Sequence, residues 1–200
     1  MLTIALSKGR LLKSFLDYLN QNGHPGWYDA LTNAQRELLV EKGEIRFLLV
    51  KGDDVPTYVE EGIADLGITG SDILAEQSSD VNELLKLPFG HCHFAIASKE
   101  ELPAYRTIAT KYVNVTRDYF DQAGQPVKII KLNGSVELAA VIGMADAIVD
   151  IVQSGETLRM NGLEERIQLD EISARLVANK HAFFTKSAEI RAFINELQVN

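Results

Sequence analysis

Three stretches hold residue types that could do chemistry together. The first is "DAIVDIVQSGETL", residues 146–158, a strand-like apolar run that carries Asp146 and Asp150 and then breaks into Ser154-Gly155-Glu156-Thr157. A buried parallel strand accepts a carboxylate only near its end and with a partner. Gly155 lets the backbone approach a ligand closely, and successive amides with the Ser154 and Thr157 hydroxyls supply donors. A helix-like segment follows, and its positive N-terminus would complete a phosphate cradle. A strand carboxylate suits the donating hydroxyls of a ribose, so the whole stretch describes a site for a phosphoribosyl group. Spacing alone leaves open the plainer reading, in which Ser154 caps a helix and Asp146 opens a strand.

The second stretch is "ALSKGRLLKSF", 5–15, where Lys8 and Arg10 flank Gly9 at the turn after the first strand. Ligands of α/β sheets gather beyond such carboxyl ends, and guanidinium suits two-pronged phosphate contact. A solvated positive loop would look the same. In the third, "LLVKGDDVPTYVEEGIADLGITGSD", 48–72, Lys51 closes a strand, Asp53 and Asp54 precede a helix, and Gly67 and Gly70 lie in the next strand. Strand glycines permit close backbone approach, for instance by a flat ring. Arg36, Cys92 and Glu137 read most simply as a surface charge, a small buried apolar residue and an exposed helix carboxylate. His91 and His93 share one strand face without further ligands, and no Ser-His-Asp, Cys-His or paired-carboxylate arrangement emerges.

The bulk properties limit what these groups can serve. The 200 residues are 46% hydrophobic, enough for one compact unit or two small lobes. A net charge of −8 argues against a nucleic-acid partner, which needs a broad basic face, while a local basic pocket remains compatible with it. One cysteine excludes an internal disulfide framework, and four scattered histidines lack zinc spacing, so any metal is expected to arrive on substrate phosphates. No apolar run approaches the roughly 20 residues that span a bilayer, and "MLTIALSKGR" lacks the layout of a secretion signal. The expected location is the cytoplasm, away from membranes.

Periodicity supplies the elements that must position these residues. "LTIALS" reads as a buried strand, Leu12, Phe15, Leu16 and Leu19 as one helical face, and the runs around Lys42-Gly43 as a hairpin. A helix with Pro56 in its first turn, capped by Asp53 or Asp54, ends at Gly62, and "ADLGITG" forms a strand. Strands near 91–98, 106–110, 126–132 and 146–152 alternate with helices at 115–123 and 135–142. The pattern predicts an α/β fold with mainly parallel sheets. "EEGIADLGITGSD" at 60–72 echoes "VIGMADAIVDIVQSG" at 141–155, which favours two similar lobes with a ligand cleft between them. The expected division is 1–89 plus about 177–200, with an amphipathic helix at 187–197, against 90–176.

In order, "ALSKGRL", "DDVPTYVEEGIADLGITGSDILAE", "LPFGHCHFAIAS", "TIATKYVNVTRDYF", "NGSVELAAVIGMADAIVDIVQSGETLRMNGL" and "ISARLVANK" resemble the ATP phosphoribosyltransferase family, which opens histidine biosynthesis. The resemblance covers most of the chain. It implies a two-lobed fold like a type II periplasmic binding protein, and a magnesium-dependent glycosyl transfer from phosphoribosyl pyrophosphate to adenine N1 of ATP. By resemblance, Ser154, Gly155, Glu156 and Thr157 hold the 5′-phosphate and Asp150 the ribose, while Lys8, Arg10, Arg36 and Lys51 serve the polyphosphates and catalysis. Arg10, Asp54, Cys92 and Glu137 are implied near ATP. Position 51, arginine in many relatives, is lysine here, a point charge in place of a planar fork. The length resembles the short catalytic form, which implies catalytic dimers in a hetero-oligomer with a regulatory subunit similar to histidyl-tRNA synthetase. A binding protein of the same fold, or a phosphoribosyltransferase for another base, are the rival readings.

Overall fold

The computed structural model describes residues 1–34 and 36–198 and divides into two compact units. Unit 1 takes 1–74, 78–90 and the chain from Ser173 on; unit 2 takes 75–77 and 91–172. Elements are numbered along the chain. Unit 1 contains β1 (Leu2–Ser7), α1 (Arg10–Gln21), α2 (Pro25–Thr32), β2 (Leu39–Lys42), β3 (Ile45–Val50), a 3-10 turn (Gly52–Asp54), α3 (Val55–Glu60) and β4 (Leu66–Gly70). It continues with α4 (Ser71–Gln77), whose last three residues cluster with unit 2, and β5 (Asn82–Lys86). Unit 2 contains β6 (Cys92–Ser98), β7 (Thr107–Thr110), α5 (Val113–Gln122), β8 (Lys128–Lys131), α6 (Glu137–Val141), β9 (Ala147–Val152), α7 (Glu156–Met160) and β10 (Glu164–Ile172). The chain then re-enters unit 1 as β11 (Ala174–Ala178), α8 (Lys180–Thr185) and α9 (Ser187–Gln198). The return falls at Ser173, ahead of the expected 177, because all of β11 pairs with β4.

Each unit is built on one mixed sheet. The unit 1 order is β2-β3-β1-β4-β11-β5 and the unit 2 order is β10-β6-β9-β7-β8. Apart from the hairpin strand β2, the two are the same arrangement: β3-β1-β4 matches β8-β7-β9, all parallel, and β11-β5 matches β6-β10, each antiparallel to its neighbour. Parallel pairing thus holds for the strands that alternate with helices, and the antiparallel strands are those next to the points where the chain passes between units.

The internal echo marks equivalent positions in this scheme. Gly62 and Gly143, at φ 71 and 76, close α3 and α6, and the Ala-Asp pair that follows opens β4 and β9. Asp65 Oδ2 accepts the Thr3 N–H at 2.8 Å while the Asp65 N–H donates to the Thr3 carbonyl at 2.8 Å. Asp146 repeats this on Thr107, with 3.0 and 2.9 Å, and also accepts the Arg106 N–H at 2.8 Å. Each carboxylate staples the amino ends of two parallel strands, which accounts for the first acid in the 146–158 stretch structurally.

Burial follows the apolar patterning. Leu2, Ile4 and Leu6 of β1 join Phe15, Leu19 and Phe47 on one face, and Ala5 joins Val55, Val59 and Val177 on the other. A strand covered on both faces reads as a continuous apolar run, as "LTIALS" does. In unit 2, Ile148 and Val152 of β9 pack with Ala139 and Leu158 on one face, and Val149 with Ile96, Ile108 and Phe120 on the other.

Candidate functional site at the carboxyl edges of the two sheets

In unit 2, β9 gives way to Gln153-Ser154-Gly155 and then to α7. Gly155 has φ 68 and ψ 7, the left-handed region that glycine enters without strain. A Cβ there would also lie 3.0 Å from Arg159 Nη1. Ser154 Oγ accepts the Glu156 N–H at 3.4 Å, and the Ser154 carbonyl accepts Arg159 Nη1 at 2.9 Å. The amides of the first helical turn have no carbonyl partner within the helix. Ser154, Glu156 and Thr157 are exposed and Gly155 half-buried, so hydroxyls and amides stand open to a small anion. Helix α7 has five residues, so the donors rest on loop geometry more than on a helix dipole.

Asp150 lies on the same face of β9 as Ile148 and Val152, opposite Ala95 of β6, and its Oδ1 accepts the Ile151 N–H at 2.8 Å. Glu137, half-buried, opens α6 just beyond the carboxyl end of β8, the same edge of the sheet as the 153–157 loop. Cys92 is 8% exposed and packs with Phe94, Tyr112 and Ile172, as a small apolar residue does. A cation that no motif or spacing singles out, Lys111, follows β7 as Lys8 follows β1, its Nζ 5.7 Å from the Tyr112 ring centre. Arg159, bonded to the loop's Ser154 carbonyl, has one sequence signal, an arginine four residues after the loop glycine.

In unit 1 the carboxyl ends of β1 and β3 bring two loops together. Ser7 pairs with Val50, the Lys8 N–H donates to the Val50 carbonyl at 2.9 Å, and Gly52 lies so close that a Cβ would be 2.8 Å from Ser7 Oγ. Lys8, Arg10, Lys51 and Asp54 are exposed along this edge, with Lys51 Nζ 3.4 Å from Asp53 Oδ2. Asp54 precedes α3 without the expected side-chain cap. Arg36 is exposed two residues before Leu38, whose carbonyl accepts the Leu49 N–H at 2.8 Å, so the antiparallel hairpin returns its segment to the carboxyl end of β3. Gly67 serves packing rather than approach by a ring: a Cβ there would be 2.7 Å from Val59 and 2.9 Å from Val55, so glycine lets α3 lie against β4. Gly70 adjoins the Asp72 carboxylate of its own chain turn.

A cavity of about 640 Å³ in unit 1 is lined by Leu2, His24, Trp27, Ile45 and Phe193 and opens at the amino ends of β1 and β3. Ligands of open α/β sheets bind at the opposite, carboxyl ends, so size does not make it the site. Among the described residues no group of three or more His, Cys, Asp or Glu side chains is placed to hold a metal ion, and no helix is long and apolar enough to cross a membrane.

Fold and edges together define a two-unit α/β protein with a loop of amide and hydroxyl donors in one unit and a row of cations in the other. Residues 51–199 match the family described as ATP phosphoribosyltransferase. An ATP phosphoribosyltransferase of Staphylococcus carnosus (strain TM300) is 57% identical over 201 residues, covering 100% of this chain and 98% of that relative. Among solved structures, the ATP phosphoribosyl transferase (HisG:HisZ) complex from Thermotoga maritima is similar with a TM-score of 0.82 and 33% identity, over 99% of this chain and 97% of that one. The periplasmic aliphatic sulphonate binding protein SsuA from Escherichia coli, at TM-score 0.65 and 16% identity over 98% of this chain and 70% of that one, shares the fold. The chain belongs to the ATP phosphoribosyltransferase family.

Proposed function

We propose that the two sheet edges divide the family's reaction between them. The reaction joins adenine N1 of ATP to C1 of 5-phosphoribosyl 1-pyrophosphate and releases pyrophosphate, a glycosyl transfer that is the first step of histidine biosynthesis. Ser154, Gly155, Glu156 and Thr157 hold the 5′-phosphate, and Asp150 accepts from the ribose hydroxyls. Lys8, Arg10, Arg36 and Lys51 neutralise the polyphosphates. Arg10, Asp54 and Glu137 contact ATP, and Cys92 adds an apolar wall. The observation that carries this reading is the 154–157 loop, where a left-handed Gly155 is flanked by two exposed hydroxyls.

Adenine N1 attacks through a lone pair and has no proton to lose, so no general base is needed. The barrier lies in charge separation as C1 becomes cationic and pyrophosphate departs. Catalysis therefore comes from orientation and from fixed positive charge beside the leaving group. Glu156, at the start of α7, faces away from phosphate or accepts a sugar hydroxyl, since a carboxylate beside phosphate is repulsive. Magnesium, which in this reading arrives on substrate phosphates, supplies further charge neutralisation for the leaving group.

The Thermotoga maritima relative was solved as a HisG:HisZ complex, and the match covers 97% of the chain compared. A regulatory subunit similar to histidyl-tRNA synthetase, with catalytic dimers in a hetero-oligomer, is the corresponding assembly. ATP and a sugar pyrophosphate are cytoplasmic metabolites, which supports that location. The test is product formation, followed by the altered absorbance of N1-substituted adenine, with ATP, phosphoribosyl pyrophosphate, magnesium and pyrophosphatase, with and without the regulatory subunit. A signal that requires both substrates and is lost in Gly155→Asp supports the reading. No signal under either condition, with tight binding of an unrelated small anion, favours a binding protein of the same fold.

A further inference from the structure

We infer that Arg159 is a positioning residue that keeps the Gly155 N–H aimed at the sugar 5′-phosphate; the inference rests on the loop assignment above. Arg159 Nη1 donates to the Ser154 carbonyl at 2.9 Å and lies 3.0 Å from where a Cβ on Gly155 would be. All described peptide bonds are trans, and in a trans peptide the carbonyl of one residue and the N–H of the next point in opposite directions. With the Ser154 carbonyl held on the Arg159 side, the Gly155 N–H faces the other way. Arg159 therefore stands behind the donor array and is not itself a phosphate ligand.

This peptide needs holding because of the residue that makes the turn possible. Rotating the 154–155 peptide carries the Gly155 φ of 68 to negative values, which glycine accepts about as readily. The rotated peptide would present the Ser154 carbonyl, an acceptor, to a phosphate that needs donors. A concavity of about 440 Å³ lies against the loop, lined by His93, Val152, Ser154, Gly155, Leu158 and Arg159, so the loop is not packed solid on that side. His93 is tied to Glu165 across this space at 2.9 Å, while Arg159 reaches from it to the Ser154 carbonyl. Its own main chain is anchored by the Arg159 N–H to the Gly155 carbonyl at 3.0 Å, so latch and loop move as one closed ring.

The test compares Arg159→Met, which keeps the apolar stem and removes the donor, with Arg159→Lys, which restores a donor, in the intact chain with its regulatory subunit. Arg159→Met should raise KM for phosphoribosyl pyrophosphate about ten- to hundred-fold, as expected for losing a hydrogen bond to a charged group, with KM for ATP and Tm nearly unchanged. Arg159→Lys should recover much of the loss. Thr157→Ala is measured alongside. If Thr157→Ala weakens use of the sugar pyrophosphate and Arg159→Met does not, the latch is refuted and the loop assignment stands. If Arg159→Met raises both KM values equally or lowers Tm in step, Arg159 is a structural residue and the latch is likewise refuted. If Thr157→Ala has no effect on the sugar pyrophosphate, the loop assignment fails and the latch with it.

Discussion

Strand β4 of unit 1 runs straight into α4 at Ser71, whereas its counterpart β9 in unit 2 is followed by Gln153-Ser154-Gly155 before α7 begins. The strands share their amino-terminal carboxylate staple, the glycine that closes the helix before each, and their place in the sheet. What differs lies beyond the carboxyl ends. Unit 1 offers several cations there, Lys8, Arg10 and Lys51, and unit 2 adds to Lys111 a loop of amides and hydroxyls. Long cationic side chains suit an extended polyphosphate that must also leave. Short fixed donors suit one compact phosphate held throughout the reaction. In the proposed division of labour one scaffold supports two kinds of anion recognition, and the distinction resides in loops of a few residues.

The largest expected effect tests the catalytic half of this contrast. Lys8→Ala should cost about 3 kcal/mol of transition-state stabilisation, by analogy with loss of an oxyanion donor, and appear mainly in kcat. A drop confined to KM for the sugar pyrophosphate would move Lys8 from the leaving group to uniform substrate binding.

The shared staples come next. Removing either carboxylate leaves strand amides without their partner, at about 1–3 kcal/mol of stability. Asp65→Ala should cost more than Asp146→Ala, because Asp65, 8% exposed, also pairs with Lys186 at 2.7 Å. Urea unfolding of the two variants measures the difference, and equal losses would break the asymmetry.

Gly67→Ala should destabilise by about 1–3 kcal/mol through overpacking against Val55 and Val59. Substrate KM values should change little, and a selective loss of ATP affinity would restore a ligand role for that glycine. The smallest effect concerns Tyr18, whose hydroxyl donates to the Leu197 carbonyl at 2.8 Å and whose pKa burial raises above 10.0. For an acid with a raised folded pKa, this contribution is complete below the unfolded pKa and is lost as pH rises through the folded one. Tyr18→Phe should therefore cost about 1 kcal/mol at neutral pH and flatten the decline in stability above pH 10.0, read by thermal unfolding across pH.

Much of the fold was legible because burial dictates it. The apolar run of β1, the Leu12-Phe15-Leu16-Leu19 face of α1 and the Lys42-Gly43 hairpin follow from periodicity and turn chemistry. Helix α2 was missed, since eight residues that begin at Pro25 and bury only Trp27 and Leu31 give no sustained period. Strand β10 was missed because an edge strand of "EERIQLDEI" carries charges where a central strand carries apolar residues. At the site, residue types pointed to the loop, but Asp146 and Asp150 look alike in sequence. Only the strand register separates a staple from an acid on the open part of β9. Gly67 misled for the same reason: a glycine in a strand marks a close approach, and sequence does not say of what.

Whether the 154–157 loop of unit 2 holds the phosphoribosyl phosphate is tested most directly by calorimetric titration of wild type and Thr157→Ala with phosphoribosyl pyrophosphate, and separately with ATP. The predicted result is a loss of about ten-fold or more in affinity for phosphoribosyl pyrophosphate, the scale of one hydrogen bond to a charged group, with ATP affinity unchanged. Unchanged affinity for phosphoribosyl pyrophosphate, or an equal loss for both ligands, would contradict it.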